Sequence, residues 1–377
     1  MDVSILLDDN DNCTTYSSTY PDPSNHWISI TISVIYYILI LFLGLVGNFY
    51  IIILTLKHKS LQSVQNIFIL NLAISDIFLC LISIPITPYV NIYKEWIFGS
   101  PACRISGAIQ GISIFISTYS LCAISIDRYY RLVELPRTSL TKTQAVAATL
   151  TIWILSIIIT FPYIYNMKIV SYEGICGYFC SEGWENDKHR QSYTIILFFV
   201  QAIIPFCIIT LCYQQIFATL HKRATSKILS ISQQVNLLSM LTNTVCNDIS
   251  LDKKKIDRLI EKKKKIETQK KKITVILVMM VIIFALTSLP LNIVSILTEI
   301  DTSTSIFIMG DGTDLTYIIN IFAHAIAMII CITNPVLYAL LNPEFRILVM
   351  KSLNCYFSLL NIGGNSMYFS TQEQEFV

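Results

Sequence analysis

The stretch ISITISVIYYILILFLGLVGNFYIIILTL, residues 28–56, contains no charged side chain. About 20 apolar residues in a helix cross the roughly 30 Å hydrocarbon core of a bilayer, and this stretch is longer than that. In lipid its backbone groups must bond within the segment, and it lacks the sustained alternation of a barrel strand. The stretch therefore predicts a membrane-spanning α-helix.

Six further stretches share this length and near absence of charge. They are residues 67–90, 105–126, 143–167, 191–220, 273–298 and 315–341. The 377-residue chain is 54% hydrophobic and 14% charged, with a mean hydropathy of +0.59, against roughly 25% charged residues in soluble domains. Composition thus excludes a soluble globular protein. We expect an all-α membrane protein whose residues 27–341 form a bundle of seven transmembrane helices.

Basic residues indicate the orientation of the spans, because Lys and Arg are enriched in cytoplasmic loops. With the N-terminus outside, 22 of the 27 Lys and Arg residues lie inside and five outside. Residues 1–26 are then an extracellular tail, 221–272 a cytoplasmic loop and 342–377 a cytoplasmic C-terminal region. The tail lacks the basic and apolar regions of a cleavable signal peptide, so we expect the first span to direct insertion.

The outer segments are acidic in this orientation. They hold 14 Asp and Glu residues against the five basic residues, a net charge of −9. A negative rim would attract cationic ligands and steer their approach. The alternative is that acidic residues collect outside simply because they have little influence on topology.

The outer segments also contain sites for covalent modification. Asn12 begins the glycosylation sequon Asn-Cys-Thr at residues 12–14. Disulfides persist in an oxidising exterior, and four of the 11 cysteines lie there: Cys13, Cys103, Cys176 and Cys180. Four cysteines allow three pairings, which the spacing alone leaves open. No cysteine or histidine spacing is typical of a metal site.

The loop between spans five and six carries most of the inner lysines. Acidic residues stand about one turn before lysines within residues 252–272, a spacing that supports a helix. We expect this segment to extend span six into the cytoplasm. Membrane tethering and cytoplasmic bias already account for its charge, so a nucleic-acid partner is not expected.

Three polar side chains lie deep within apolar spans: Asn48, Asp76 and Asn334. Polar groups at membrane depth cost about 2.5–3.5 kcal/mol each on insertion scales and face the bundle interior. We expect them to bond to one another there. A purely structural network and a functional switch are both compatible with their spacing.

Two short motifs stand near the inner ends of spans three and seven. Span three ends with DRY at residues 127–129, and span seven contains NPVLY at residues 334–338, whose proline removes a helix hydrogen bond. With seven spans and an outer N-terminus, these motifs resemble the rhodopsin-like G-protein-coupled receptors over residues 27–355. Further landmarks of that family are Gly47, Asn48, Leu72, Ala73, Asp76, Cys103, Trp153, Pro205, Tyr213 and Pro290.

That resemblance implies roles for particular residues. It assigns G-protein coupling and activation to Asp127, Arg128, Tyr129, Tyr213, Asn334, Pro335 and Tyr338. It implies a polar core, with Asp76 as a candidate sodium ligand, formed by Asn48, Asp76, Ser117 and Asn334. It also implies a plasma-membrane location, a heterotrimeric G protein and arrestin as partners, and a disulfide from Cys103 to the second outer loop.

Several short strings of the sequence are similar to strings in the neuropeptide Y and neuropeptide F receptors. The matching strings are TP at 87–88, WIFG at 96–99, QGISIFIST at 110–118, CSEGW at 180–184 and LPLN at 289–292. The fourth string favours Cys180 over Cys176 as the partner of Cys103.

Peptides of that group end in amidated Arg-Tyr or Arg-Phe, and three positions match the ligand contacts of its receptors. These are Gln110, Glu299, where the family has Asp, and His324. A carboxylate suits a guanidinium, and a side-chain amide offers both a donor and an acceptor. Without the resemblance, a solvated rim carboxylate and a helix-packing amide would be the favoured interpretations of Glu299 and Gln110.

The sequence departs from the family at two positions. Ser288 stands where the family has Trp two residues before the proline of span six, which removes a large packing element. Ligand coupling or basal activity is therefore expected to differ. Lys270 replaces the inner acid of span six, so a salt bridge from that position to Arg128 is not expected.

A short amphipathic helix is expected to follow span seven. Residues 342–351 place apolar side chains at helical spacing with basic ones between, which suits a helix lying on the lipid of the inner leaflet. Cys355 follows as a candidate for palmitoylation, and an unmodified thiol is the alternative.

Rival functions remain at this stage. A transporter or channel could bind an ion at Asp76, but the two similar halves common in transporters are not evident. A receptor for another peptide class, or a non-signalling peptide scavenger of the same fold, would share most motifs. No nucleophile grouping or phosphate-binding loop is present, so we expect no enzyme.

Overall fold

The computed structural model describes residues 13–19, 22–134, 140–244, 249–301, 307–309, 313–341 and 343–360. Most of these residues are helical. The main helices are α1 (Trp27–Lys57), α2 (Val64–Tyr93), α3 (Gly99–Leu132), α4 (Lys142–Asn166), α5 (187–244), α6 (Ile249–Asp301), α7 (Thr316–Met328 continued by Ile330–Leu341) and α8 (Pro343–Leu360). Between α4 and α5 lies a hairpin of β1 (Met167–Val170) and β2 (Phe179–Glu182).

The lengths of these helices match the predicted spans. Within the described residues, six helices are long and apolar enough to cross a membrane, namely α1 to α5 and α7. The outer part of α6 adds a shorter apolar helix, Ala285–Glu299. These seven helices confirm the predicted seven-helix bundle. We call the end of the bundle near the N-terminal tail the outer end.

The distribution of apolar and polar side chains also suits a protein surrounded by lipid. Phe42, Leu150 and Phe322 expose 65%, 59% and 70% of their surfaces on the outside of the bundle. Asn48 and Asp76 are completely buried inside it. Apolar residues outside and polar residues inside reverse the pattern of a soluble protein, as lipid favours.

Small and polar residues bring the helices together. The position of a Cβ on Gly47 of α1 would lie 2.9 Å from Cγ of Pro335 in α7, so these two helices need a glycine at their contact. Asn71 of α2 donates to Ser120 of α3 at 2.8 Å and accepts from the indole of Trp153 in α4 at 2.7 Å. Such interhelical hydrogen bonds and close backbone contacts stabilise bundles for which lipid supplies no hydrophobic driving force.

Two disulfides organise the outer end. Cys180 in β2 is joined to Cys103 in α3, as the resemblance implied, with a Cα–Cα separation of 5.6 Å. Cys13 in the tail is joined to Cys176 in the loop between the strands, with a Cα–Cα separation of 5.2 Å. Of the three pairings left open by spacing, the structure therefore contains the one that ties the tail to the second outer loop.

At the inner end, α5 and α6 continue well beyond their apolar stretches. The predicted helical extension of span six over residues 252–272 is confirmed, because α6 begins at Ile249. The loop expected from residue 221 differs from the structure, since α5 remains helical to Thr244. Residues 221–244 contain no proline or glycine, so nothing in their sequence ends the helix.

The helix predicted after span seven is present as α8. Its Phe345 is buried and packs on Tyr338 of α7, with ring centroids 4.2 Å apart. Three sequence predictions lie outside the described part of the structure: glycosylation at Asn12, and the side-chain roles of Cys355 and Lys270.

Candidate functional site

A buried carboxylate joins three helices in the middle of the bundle. Asp76 of α2 accepts hydrogen bonds from Nδ2 of Asn334 in α7 at 2.8 Å and from the hydroxyl of Ser117 in α3 at 3.4 Å. The predicted bond between Asp76 and Asn334 is therefore present, but Asn48 bonds to neither of them. Asn48 contributes differently, because its amide donates to the backbone carbonyls of Gly44 and Cys331, each at 2.9 Å.

The DRY motif lies at the inner end of α3, and its aspartate forms an ion pair with an arginine one turn further along the helix. Asp127 is buried, and its Oδ2 lies 2.8 Å from Nε of Arg131, one turn along the helix. Arg128 and Tyr129 are partly buried. Tyr213 and Tyr338 are almost fully buried on α5 and α7.

Two of the three predicted ligand contacts meet through a side chain that sequence reasoning missed. The hydroxyl of Ser83 in α2 donates to Oε1 of Gln110 at 3.1 Å and lies 3.1 Å from Nε2 of His324. Nδ1 of His324 lies 2.9 Å from the hydroxyl of Tyr37 in α1. Four helices thus share one polar cluster at the outer end of the bundle, which we call the Ser83 cluster.

Ser83 carried a weak signal in the sequence. It stands seven residues after Asp76, and residues two turns apart lie on the same face of a helix. Here α2 contains a π-helical stretch, Leu79–Ser83, that ends at Ser83 itself. Such stretches occur often at functional sites, because the extra residue re-aims the side chains that follow.

Glu299, the third predicted contact, belongs to a separate cluster. Its Oε2 lies 2.8 Å from Nε of Arg190 in α5, and the two side chains are 17% and 20% exposed. Glu299 is therefore not a solvated rim carboxylate, which was the interpretation favoured by the residue type alone. Nothing in the sequence marks this pair, because its members are 109 residues apart.

Glu182 stands beside this pair. Burial is the largest effect and raises the pKa of Glu182, and the charge of Glu299 raises it further. The hydrogen bond from the Trp184 indole at 2.6 Å, the second-largest effect, lowers this pKa, as does the charge of Arg190, but burial outweighs them. We call these groups the Glu299 cluster.

A buried ion pair fixes the base of the tail. Nζ of Lys94 lies 2.7 Å from Oδ2 of Asp22, both side chains are fully buried, and Nζ also bonds to Asn25. Lys94 ends α2 with a left-handed backbone, φ 56°, and its ammonium lies 4.9 Å from the centre of the Tyr317 ring. The tail is thus connected to α2 and α7 as well as to the second outer loop.

Residues 47–338 match the protein family described as 7 transmembrane receptor (rhodopsin family). This match covers most of the chain. The chain belongs to the rhodopsin family of seven-transmembrane receptors. As a member of a receptor family it is a multi-pass membrane receptor and not an enzyme.

Named relatives of this receptor narrow its place in the family. It is 42% identical to "Neuropeptide receptor npr-1" of Caenorhabditis elegans, over 90% of this chain and 76% of that protein. It is 27% identical to "Neuropeptide Y receptor type 6" of Oryctolagus cuniculus, over 85% of this chain and 79% of that one. It is 28% identical to "Neuropeptide F receptor" of Drosophila melanogaster, over 85% of this chain and 61% of that one. The resemblance to the neuropeptide Y and F receptor group is confirmed.

The structure describes Ser288, one of the two positions at which this receptor departs from the family pattern. Ser288 is buried in α6, and its carbonyl accepts a hydrogen bond from Nδ2 of Asn292 at 2.7 Å. A serine therefore occupies an interior position where the family pattern has an indole. Two residues further along α6 is Pro290, which has no backbone N–H and so removes one helix hydrogen bond.

Proposed function

We propose that this receptor binds an extracellular neuropeptide with an amidated Arg-Phe or Arg-Tyr terminus and signals through a heterotrimeric G protein. Three relatives named as neuropeptide receptors support the ligand class. The observation that carries the chemistry is the separation of one acidic cluster from one neutral polar cluster at the outer end. The arginine and the terminal amide of such a peptide are complementary to the acidic cluster and to the neutral cluster.

The Glu299 cluster supplies the charge for the ligand guanidinium. An arginine already occupies Glu299, with Nε of Arg190 2.8 Å from Oε2. A peptide arginine would take the place of Arg190 or share the carboxylate with it. Charge-assisted bonds of this kind are about twice as strong as neutral ones.

The Ser83 cluster supplies the amide site. Ser83 donates to Oε1 of Gln110, so the amide nitrogen of Gln110 keeps two protons to donate to a ligand carbonyl. His324 is buried and bonded through Ser83, and therefore positions Gln110 from behind. A neutral donor suits a terminal amide and would leave the charge of a free carboxylate only partly compensated.

Two helices connect this outer site with the inner motifs. Ser83 and Asp76 share α2, while His324, Asn334 and Tyr338 share α7. A peptide that binds one arrangement of these helices more tightly shifts the population toward it. The inner motif at Arg128 would then become available to the G protein.

We also propose that Asp76 holds a sodium ion in the resting receptor. Asp76 is fully buried, and the carboxylate and the Ser117 hydroxyl are oxygen donors of the kind a hard cation binds. Oδ1 of Asn48, also buried, has no hydrogen-bond partner among the described residues. A bound cation would offset the cost of burying the carboxylate charge.

The remaining proposals concern the surroundings of the receptor. The excess of basic residues on one side supports an orientation with the tail outside. We propose that this receptor lies in the plasma membrane and is glycosylated at Asn12 of the outer tail. On the inner side we propose palmitoylation of Cys355, contact of α8 with lipid, and arrestin as a second partner. Protease protection of an epitope placed in the tail on intact cells would contradict this orientation.

The proposed ligand is tested by screening amidated Arg-Phe and Arg-Tyr peptides on cells that express the receptor. We expect nucleotide exchange on the G protein, and a loss of potency of at least about tenfold in Glu299→Gln, because one charge-assisted bond is weakened. Glu185→Gln, at an exposed glutamate of the second outer loop, is the matched control. Binding without exchange would indicate a scavenger, and unchanged potency in Glu299→Gln would contradict the assigned site.

A further inference from the structure

A cavity lies at the outer end, between the tail, the second outer loop and the end of α2. Its volume is about 390 Å³, within the range of about 300–1,000 Å³ that is typical of ligand pockets. We call it the outer cavity. Its aromatic walls are Tyr16, Trp96, Tyr172, Phe179 and Tyr317. Neither Gln110, Glu299 nor His324 lines it, so it is separate from the two clusters described above.

The tail disulfide holds one wall of this cavity in place. Cys13 is bonded to Cys176, and the adjacent Thr14 exchanges backbone hydrogen bonds of 3.0 Å with Gly174 and Cys176. Two residues after Thr14, Tyr16 packs edge-on against Tyr317, with ring centroids 5.5 Å apart. The tail therefore contributes a fixed aromatic side chain to the cavity. A wall ordered before the ligand arrives reduces the entropy cost of binding.

The charge that the cavity offers is negative. Two charged side chains line it, Lys94 and Glu95. The charge of Lys94 is neutralised by its buried pair with Asp22. Glu95 is exposed and forms no ion pair with any residue that the structure describes.

A glycine allows Glu95 to lie against the second outer loop. The position of a Cβ on Gly177 would be 3.1 Å from Cγ and 3.4 Å from Oε1 of Glu95. Gly177 has a φ of +97°, a conformation that other residues rarely adopt. The loop thus has a glycine at the point where the carboxylate approaches its backbone.

We propose that the outer cavity is a second binding subsite, which takes a lysine or arginine side chain upstream of the amidated terminus of the same peptide. A cation among aromatic rings gains cation–π attraction, and Glu95 supplies a charge-assisted bond. The proposal rests on the proposed function, since it concerns another part of the same ligand. It makes Glu95 a determinant of which amidated peptides this receptor prefers.

The experiment compares three probes on the full-length receptor. The first is an amidated Arg-Phe peptide with one lysine upstream, the second has glutamine in place of that lysine, and the third is the amidated terminal fragment alone. We expect Glu95→Gln to reduce the potency of the lysine peptide by about tenfold, the usual effect of removing a charge-assisted bond. The glutamine peptide and the fragment should be unaffected.

Gly177→Ala and Glu185→Gln complete the design. The alanine at position 177 should displace Glu95 and reduce the potency of the lysine peptide alone. Glu185 is an exposed acid outside the cavity wall, so Glu185→Gln should leave the potency of all three probes unchanged. Surface expression measured with an epitope tag separates these effects from misfolding.

The outcomes distinguish the two proposals. If the fragment activates the receptor in a Glu299-dependent way and Glu95→Gln leaves the lysine peptide unchanged, the subsite is wrong and the proposed function stands. If Glu95→Gln weakens all three probes equally, Glu95 supports the fold and the subsite is also wrong. Failure of every amidated peptide to activate the receptor would overturn both proposals.

Discussion

Ser83 Oγ lies 3.1 Å from Oε1 of Gln110 and 3.1 Å from Nε2 of His324. A hydroxyl has one proton, so when Ser83 donates to Gln110, Nε2 of His324 must donate to Ser83. Nδ1 of His324 is then an acceptor for the Tyr37 hydroxyl at 2.9 Å, and it competes with the backbone carbonyl of Ile321, at 3.1 Å, for the single Tyr37 proton. This arrangement gives Ser83, Gln110 and His324 a hydrogen bond each, and it leaves the amide nitrogen of Gln110 as the group that can donate to a ligand.

We expect Ser83→Ala to reduce peptide potency by about tenfold or more, because it removes a hydrogen-bond partner of the part-buried Gln110 amide and of the buried His324 imidazole, and a buried group left unpaired costs about 1–3 kcal/mol. Agonist-stimulated nucleotide exchange measures the change. Ser295→Ala is the control, since Ser295 is exposed on α6 and its hydroxyl donates to the carbonyl of Leu291 in the same helix. Equal potency of Ser83→Ala and the wild type would show that Gln110 needs no support from α2.

Arg190 and the peptide arginine are expected to compete for Glu299. Arg190→Gln should therefore raise the affinity for a peptide ending in Arg-Phe amide by a few-fold, because a partly exposed pair contributes up to about 1 kcal/mol. Glu299→Gln should lower it. Radioligand competition on membranes measures both, with Lys188→Gln as a control for the loss of one positive charge nearby. A fall in affinity in Arg190→Gln would mean that Arg190 itself contacts the ligand.

Gly47→Ala should destabilise the receptor by about 1–3 kcal/mol, the usual cost of overpacking. The new methyl group would lie 2.9 Å from Cγ of Pro335, a rigid ring that cannot turn away. Gly111→Ala is the matched control, because its methyl group would meet Thr160 at 3.4 Å, an ordinary contact. Thermal unfolding of the purified receptors should place Gly47→Ala well below Gly111→Ala, and equal melting temperatures would contradict the close contact of α1 and α7.

The pH dependence of stability should reveal Glu182. Burial, the main cause, raises its pKa above the ordinary value of 4.5. Between that value and the raised one, the folded protein binds more protons at this site than the unfolded chain. The contribution of Glu182 to stability therefore decreases as the pH rises through this interval.

Glu182→Gln should remove that dependence, while its side-chain oxygen can still accept the Trp184 hydrogen bond. We expect the melting temperature of the variant to exceed that of the wild type at neutral pH and to approach it in acid. Glu173→Gln, on an exposed part of the same loop, is the control. A difference between variant and wild type that stayed constant with pH would exclude the raised pKa.

The sequence by itself determined the solvent of this protein and the positions of its spans. Transfer of a helix into lipid depends on local composition, so residues 28–56 and the six later stretches could be recognised without knowing their neighbours. The motifs at 127–129 and 334–338 identified the family in the same way. The outer hairpin of residues 167–182 had no comparable signal in the sequence.

Only the tertiary structure decided which distant groups meet. Cys13 could have paired with any of three cysteines, Ser83 was one serine among many, and Arg190 is 109 residues from Glu299. Composition constrains each segment separately, whereas these contacts depend on how seven helices and the outer loops pack against one another. Partition into lipid is a property of a segment, and a binding site is a property of the whole bundle.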